Sequence, residues 1–528
     1  MPTTESLVPI RPGVPGKRPF WNSHSTQFKY APAFDFKPVA GASRYRFTAT
    51  SGADSRALSF EAGEPWAPLT PIWKDLPVGE VILKVDGLNA AGETVPGSCG
   101  EPRKFWRSAV FHGPYHNPAR PYAESARMGL RYLFAHPAVQ IWKEGMPDPD
   151  DPSTLLACYG RYGYPSKMIG GVIRCAARCA AVGQGNQDGL DALRVMNHAF
   201  DYLTRISEPA DAPLAFLPPT YRGKAEDAYN HPGQIMMSEP VGVANAYLDA
   251  YEATGDRRFA EAARHIADTY AKTLLPLGTW PLMIHAKNCK AGSGLLIPVR
   301  LLLFLDRIDS VLGRAAYDHV RQSALAWLRE NPLRTFDWQG QFEDTEIAPP
   351  YRNHMNDGPA STAMYLIAHR REDAAYLEQA EELLRFAEDQ FVVWQLPFPA
   401  TERSTDWITP CVLEQYIGYY PVDASAATMI TAYQRAYLAT GSPLYLAKAT
   451  SLANAMTIAQ DPATGSFPTY WAKNAGGWWL NCAAASVDAM FEFAKTGAER
   501  CERTKYRMLF GRDLGYNSCR QVEKARGG

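Results

Sequence analysis

The stretch DWQGQFEDTEIAPPYRNHMNDG (337–358) lies between two runs of helical periodicity and sets Glu343, Asp344 and Glu346 beside Trp338, Phe342 and Tyr351. Helix connections are usually a handful of polar residues. A connector this long, and this rich in ionisable and aromatic groups, does more than join helices. Cleaving a glycosidic bond commonly takes two carboxyl groups, one to protonate the leaving oxygen and one to attack or to activate water. The candidates are Glu343 and Asp344 in QFED, and Glu414 in CVLEQY (411–416). Leu413 and Tyr416 flank Glu414, and desolvation by such neighbours raises a carboxyl pKa, which suits a proton donor. The alternative role for Glu414 is a carboxylate that anchors a helix N-terminus. Glu346 and Asp423 rank lower, and Asp423 in PVDASAA reads as a helix-capping residue.

Other connectors carry the same mixture: HGPYHNPARPY (112–122), YNHPGQIMMSEP (229–240), GTWPLMIHAKNCKAGSG (278–294), ATERSTDWITPCVLEQY (400–416) and GSFPTYWAKNAGGWWLN (465–481). A sugar offers an apolar ring face edged by hydroxyls, so its site needs flat side chains and polar partners. Trp338, Tyr351, Tyr416, Tyr470, Trp471 and Trp478 are candidates for the first task. His231, His285, His354 and Asn356 are candidates for hydroxyls, and Arg352, Lys287 and Lys473 for a carboxylate on the ligand, Arg in bidentate fashion. Packing and solvated surface charge are the alternative roles for each.

These loops need a frame. From about Ala123 to Lys495 the periodicity is helical, with helices expected near 124–135, 165–183, 188–206, 239–254, 258–273, 294–310, 314–329, 360–369, 373–392, 423–440, 444–459 and 481–495. AYLDAYEATGDRRFAEAARHIADTY (246–270) aligns with AYQRAYLATGSPLYLAKATSLANAM (432–456), and GTWP and GSFP follow them. A repeated helix hairpin closed into a ring buries every inner face. The expected fold is therefore mainly α: an (α/α)6 toroid over 106–497, with a C-terminal tail over 498–528. Before it, RYRFTAT (44–50) alternates and LPVGEVILKVDGLNAAGE (76–93) reads as turn, strand and turn, so 1–105 is expected to form a fibronectin- or immunoglobulin-like β-sandwich.

Composition excludes several classes. A chain of 528 residues with 46% hydrophobic residues and a formal charge of −1 describes a globular protein without the basic surface of a nucleic-acid binder. The nine cysteines are scattered and show no CxxC spacing, and there is no HExxH, so neither a metal nor a disulfide framework is expected. No glycine-rich strand-to-helix turn supports a nucleotide, and no cofactor is expected. The apolar run 295–305 carries Pro298 and Arg300, which excludes a membrane span. MPTTESLVPIRPGVPGKRPF has no apolar core, so the expected compartment is the cytoplasm, or the periplasm or exterior had an export signal been removed. A homo-oligomer is compatible with the sequence.

The combination of WQGQFED (338–344), CVLEQY, PVDASAA (421–427) and PTYW (468–471) resembles bacterial (α/α)6-toroid glycoside hydrolases, and among them the β-glucuronidases of glycoside hydrolase family 154. The resemblance spans about 106–495. It implies a hydrolase that releases a terminal uronic acid from oligosaccharides, and gives Arg352, His354, Lys287 and Lys473 an anionic partner. The alternatives are a lyase with Tyr351, His354 and Asn356 as its working groups, a sugar epimerase, and a non-catalytic carbohydrate-binding protein.

Overall fold

The computed structural model describes residues 4–14, 20–52, 56–113, 115–145, 163–183, 185–222, 231–292, 294–339, 341, 351–399, 406–416, 420–472 and 478–496. Among the described residues, twelve helices longer than two turns carry the fold. They are α1 (Tyr122–Ala135), α2 (Pro165–Val182), α3 (Gln187–Ile206), α4 (Glu239–Thr254), α5 (Arg257–Thr273), α6 (Val299–Leu312), α7 (Asp318–Glu330), α8 (Asp357–Ala368), α9 (Tyr376–Phe391), α10 (Asp423–Thr440), α11 (Pro443–Ala459) and α12 (Leu480–Ala494). Each matches one of the helices expected from periodicity, within a few residues at either end.

The even-numbered helices pack in the cycle α2, α4, α6, α8, α10, α12 and back to α2, which closes an inner ring, and the odd-numbered helices lie outside it. The two sets differ in sequence because they differ in surroundings. Outer α5 buries Phe259, Ala263, Ile266, Ala267 and Tyr270, a single stripe at helical spacing. Inner α8 is buried from Pro359 to Ile367 because neighbours meet it on both flanks and behind. Close approach within the ring requires small residues: a Cβ on Gly171 of α2 would stand 2.6 Å from Leu480 of α12.

The two aligned hairpins match bond for bond. Gly255 and Gly441 end α4 and α10 at φ +74° and +70°, a conformation that suits glycine. Thr254 and Thr440 each donate to the carbonyl four residues back at 2.7 Å, and Asp256 and Ser442 each donate a backbone N–H to that threonine at 3.1 Å. Inner-to-outer turns are short, whereas the segments leading into α4, α6, α8, α10 and α12 (207–238, 274–298, 331–356, 392–422 and 460–479) are long. All the long connectors therefore meet at the end of the ring where the inner helices begin.

The N-terminal region departs from the expected sandwich. Its described residues form one five-stranded sheet in the order β1 (Gln27–Phe28), β5 (Arg103–Arg107), β4 (Gly79–Leu88), β2 (Arg44–Ser51), β3 (Ala57–Ala62). The β2–β3, β2–β4 and β4–β5 pairs are antiparallel and the short β1–β5 pair is parallel. A second facing sheet is not among the described residues. The inward side chains of β2 and β4, including Phe47, Val81 and Leu83, instead share one core with Phe34, Phe36 and Trp73 from the connecting segments. The sheet docks on α9: Gln27 Nε2 donates to the Gln390 carbonyl at 2.8 Å, and Trp21 stacks on Phe386 at 5.9 Å. No helix among the described residues is long and apolar enough to cross a membrane.

Candidate functional site

Loop-to-loop hydrogen bonds build the rim. A short antiparallel pair, β6 (Gln234–Met236) with β7 (Met283–His285), ties the connector before α4 to the one before α6. Gln341 Oε1 accepts from Ile297 N at 2.8 Å, which joins the connectors before α6 and α8. Asn356 N donates to the Glu414 carbonyl at 2.9 Å and Tyr416 N to the His354 carbonyl at 3.1 Å, joining those before α8 and α10. Asp423 N donates to the Thr469 carbonyl at 2.9 Å and continues the rim towards α12. His116, in the segment 112–122, bonds the Thr409 carbonyl at 2.8 Å.

A cavity opens between the first turns of α4, α6 and α8. Its charged lining is Glu239, Arg300 and Asp357, each at or next to the first residue of its helix. Arg300 Nε donates to Asp357 Oδ2 at 2.7 Å while 51% of its side chain stays accessible. Asp357 is the largest influence on Arg300; it raises the pKa against the cost of burial, and Glu239 and Glu414 add to it. Lys167 of α2 approaches Glu239 at 4.0 Å. Deeper in the ring, Arg178 pairs with Asp488 at 2.9 Å and Arg307 with Asp249 at 2.6 Å, clasping α2 to α12 and α4 to α6.

Glu414 is half-buried beside this cluster. Its backbone is held on one side by Asn356 and, through Leu413 N bonding the Phe391 carbonyl at 2.8 Å, by the end of α9 on the other. Its charge acts on a second acid: Asp423, fully buried at the start of α10, is pushed well above the usual carboxylate range by burial first, with Glu414 adding to the shift. Ser486 Oγ donates to Asp423 Oδ2 at 2.9 Å and Ala424 N to its Oδ1 at 2.8 Å. Burial therefore favours the protonated form of Asp423, which also makes a local bond of the helix-capping kind.

Several side chains expected to face a ligand are instead packed. Trp338, Tyr351, His354, Asn356, Tyr416 and Trp471 are all buried. His354 fills the space among Tyr351, Phe386 and Tyr416, accepts from Trp338 N at 3.1 Å through Nδ1, and has its pKa lowered to about 3 by burial. It is neutral at physiological pH, which removes it as a partner for a uronate or as an acid in lyase chemistry. Tyr351, at φ +65°, donates its hydroxyl to the Thr335 carbonyl at 2.8 Å, and the Tyr416 hydroxyl bonds Gln390 Oε1. These rings hold the rim together from within, and hydrophobic burial explains their aromatic character as well as sugar stacking would.

Tyr470 and Trp478 keep part of their surface open; Tyr470 lies 5.7 Å from the Tyr420 ring and Trp478 stacks on His136 at 4.5 Å. His231 and His285 are half-buried, and Lys287 and Arg352 are exposed. Glu343, Asp344 and Lys473 lie outside the described residues, as does Glu346. Glu239, Arg300 and Asp357 were missed at the sequence level. An acid opening a helix reads as a partner for the helix dipole, and Arg300 entered only as a charge that interrupts an apolar run. Among the described residues no group of three His, Cys, Asp or Glu side chains is arranged to hold a metal ion.

No family model matches the chain, and no curated protein matches it. Solved structures do. The chain is similar to cellobiose 2-epimerase from Spirochaeta thermophila at TM-score 0.50 and 11% identity, over 71% of this chain and 98% of that one. It is similar to a family 76 glycoside hydrolase from a bovine Bacteroides thetaiotaomicron strain at TM-score 0.49 and 10% identity, over 86% and 93%. A heparin-specific unsaturated glucuronyl hydrolase gives 0.47 and 13%, over 71% and 97%. At such identities the likeness is one of fold, and the fold is the (α/α)6 toroid.

Proposed function

We propose that the protein is a glycoside hydrolase acting on oligosaccharides at the mouth of the ring. One observation carries the reading: Glu414 is fixed by its backbone at the rim, remains partly open, and adjoins a cavity edged by Glu239, Arg300 and Asp357. Glu414 supplies one carboxyl group, and Glu343 or Asp344, in the connector that leads into α8, supplies the other. One protonates the glycosidic oxygen as the bond to the anomeric carbon breaks; the other attacks that carbon or takes a proton from the water that does. Tyr470 and Trp478 offer ring faces to the sugar.

The resemblance to family 154 β-glucuronidases adds a substrate class, a terminal uronic acid, with the exposed Arg352 and Lys287 as partners for its carboxylate. The test is product analysis on paired aryl glycosides and aryl uronides. A new reducing end without ultraviolet absorbance supports hydrolysis, and faster release from the uronides supports the terminal uronic acid. An unsaturated, absorbing product would replace hydrolase by lyase, and a product of unchanged mass would replace it by epimerase.

A further inference from the structure

The cavity between α4, α6 and α8 holds a guanidinium that is clamped on one edge and open on the other. Asp357 takes Nε of Arg300 at 2.7 Å, and among the described residues neither terminal nitrogen of Arg300 has a hydrogen-bond partner. Asp357 is itself fixed, since its other oxygen accepts from Ser361 Oγ at 3.2 Å. The plane of the fork is thus set before any ligand arrives. Gln339 is oriented similarly: Asp337 Oδ2 holds its amide nitrogen at 2.8 Å, which leaves its carbonyl oxygen as an acceptor at the cavity wall. Leu296, Ile297, Val299 and Met355 give the wall an apolar stretch, with Ser238 and Gln341 beside it.

We propose that this cavity is a subsite for an uncharged sugar ring, with the two terminal nitrogens of Arg300 donating to a pair of adjacent hydroxyls and Gln339 accepting from a third. This deepens the reading of the mouth as a saccharide site and rests on it, since an oligosaccharide ending in a uronic acid places its neighbouring sugar beside the reacting end. The charge balance decides between a neutral ring and an acidic one. Asp357 already neutralises Arg300, Lys167 stands 4.0 Å from Glu239 and is taken up by it, Glu414 adds negative charge nearby, and no second cation lines the cavity among the described residues. A ligand carboxylate would meet repulsion without a free counter-ion. Hydroxyls accept the same hydrogen bonds and bring no charge, while the aliphatic wall covers the C–H face of the ring.

Equilibrium binding tests this without relying on turnover. Methyl glycosides of glucose, galactose, mannose and xylose, and the methyl uronides of glucose and galactose, are titrated into the full chain and into Arg300→Met and Arg300→Lys variants, with thermal melts as the folding control. At least one neutral glycoside is expected to bind and to lose at least about tenfold in affinity in both variants, as loss of charge-assisted hydrogen bonds predicts. Methyl uronide binding should change less than about twofold. Uronides weakened more than the neutral sugars would make Arg300 a carboxylate anchor and overturn the proposal. So would equal affinities in folded variants, or no binding of any neutral glycoside. If binding depends on Arg300 while no aryl glycoside is turned over, hydrolysis falls and the subsite stands; turnover with binding indifferent to Arg300 is the reverse.

Discussion

Where the sheet docks on α9, Lys448 and Glu388 are closed off from water, whereas at the mouth of the ring Arg300, Asp357 and Glu414 face it. In the docking network Lys448 Nζ, fully buried, meets Glu388 at 2.5 Å and Glu5 at 2.8 Å. Glu388 also accepts from Trp394 Nε1 at 2.8 Å and from the hydroxyls of Tyr30 and Tyr433 at 3.2 Å. Burial works against the charge on Lys448, but Glu388 and Glu5 outweigh it and hold its pKa above the ordinary value. At the mouth the same residue types leave a guanidinium edge open to a cavity. Saturated partners fix one arrangement of sheet and ring; the open edge of Arg300 leaves bonding capacity for a ligand.

The sharpest way to break this contrast is to remove one partner from the closed network. Lys448→Met leaves Glu388 buried without its cation, and breaking a buried pair from one side costs about 3–5 kcal/mol. Denaturant melts should show that loss, while turnover per folded molecule stays near wild type. A variant as stable as the parent would mean that the network is not what holds sheet and ring together.

At the open site the expected loss is catalytic. Glu414→Gln keeps the shape and cannot exchange a proton, so its turnover on the best aryl glycoside should fall at least about a hundredfold with an unchanged melt. Near-normal turnover would move Glu414 into the same category as Glu388, a structural carboxylate.

The ring was legible because its signals are local and repeated. Thr254–Gly255 and Thr440–Gly441 mark the same turn in two hairpins, and the Phe259, Ala263, Ile266 and Tyr270 stripe requires only helical geometry. The rim was partly legible: the connectors were found, but which of their residues turn inward depends on pairing between distant segments. His354 reads as a polar group in a polar loop until Phe386, thirty-odd positions away, is seen to pack against it. The docking network was not legible at all, since Glu5, Glu388 and Lys448 are ordinary charges on separate elements until the N-terminal region covers them. The second layer expected of a sandwich is not found among the described residues, for the same reason. A strand's alternation shows that one face is buried but not what covers it.

His354 lies between the two extremes, in a rim loop yet fully buried, and its titration shows which side it belongs to. Its pKa is lowered to about 3, against about 6.5 in an unfolded chain. Between those values the unfolded chain binds a proton that the folded one refuses, so stability falls as the pH drops through about 6.5 towards 3. The slope is up to about 1.4 kcal/mol per pH unit, or about 2 kcal/mol between pH 6.5 and 5. His354→Asn, whose Oδ1 can replace Nδ1 in accepting from Trp338 N, should flatten that slope. An unchanged slope would assign the acid sensitivity to other groups.

The smallest expected effect concerns Asp423, which shares the seclusion of the docking network and the neighbourhood of Glu414. With its pKa raised well above the ordinary value, the folded protein keeps a proton that the unfolded chain releases above about pH 3.9. The stability tied to that proton is complete at low pH and is lost as the pH rises towards the folded pKa. Asn at this position can accept from Ala424 N through Oδ1, and its amide nitrogen can donate to Ser486 Oγ in place of the bond that Ser486 donates to Asp423 Oδ2. Asp423→Asn should therefore match wild type within about 1 kcal/mol at pH 4 and gain on it as the pH rises to 7. If Asp423 is structural, turnover changes little across that range, because a fully covered group exchanges no proton with substrate. A well-folded Asp423→Asn variant that lost about a hundredfold in turnover would place Asp423 with Glu414 in the chemistry, and the boundary between the closed and open networks would then run beneath α10 instead of above it.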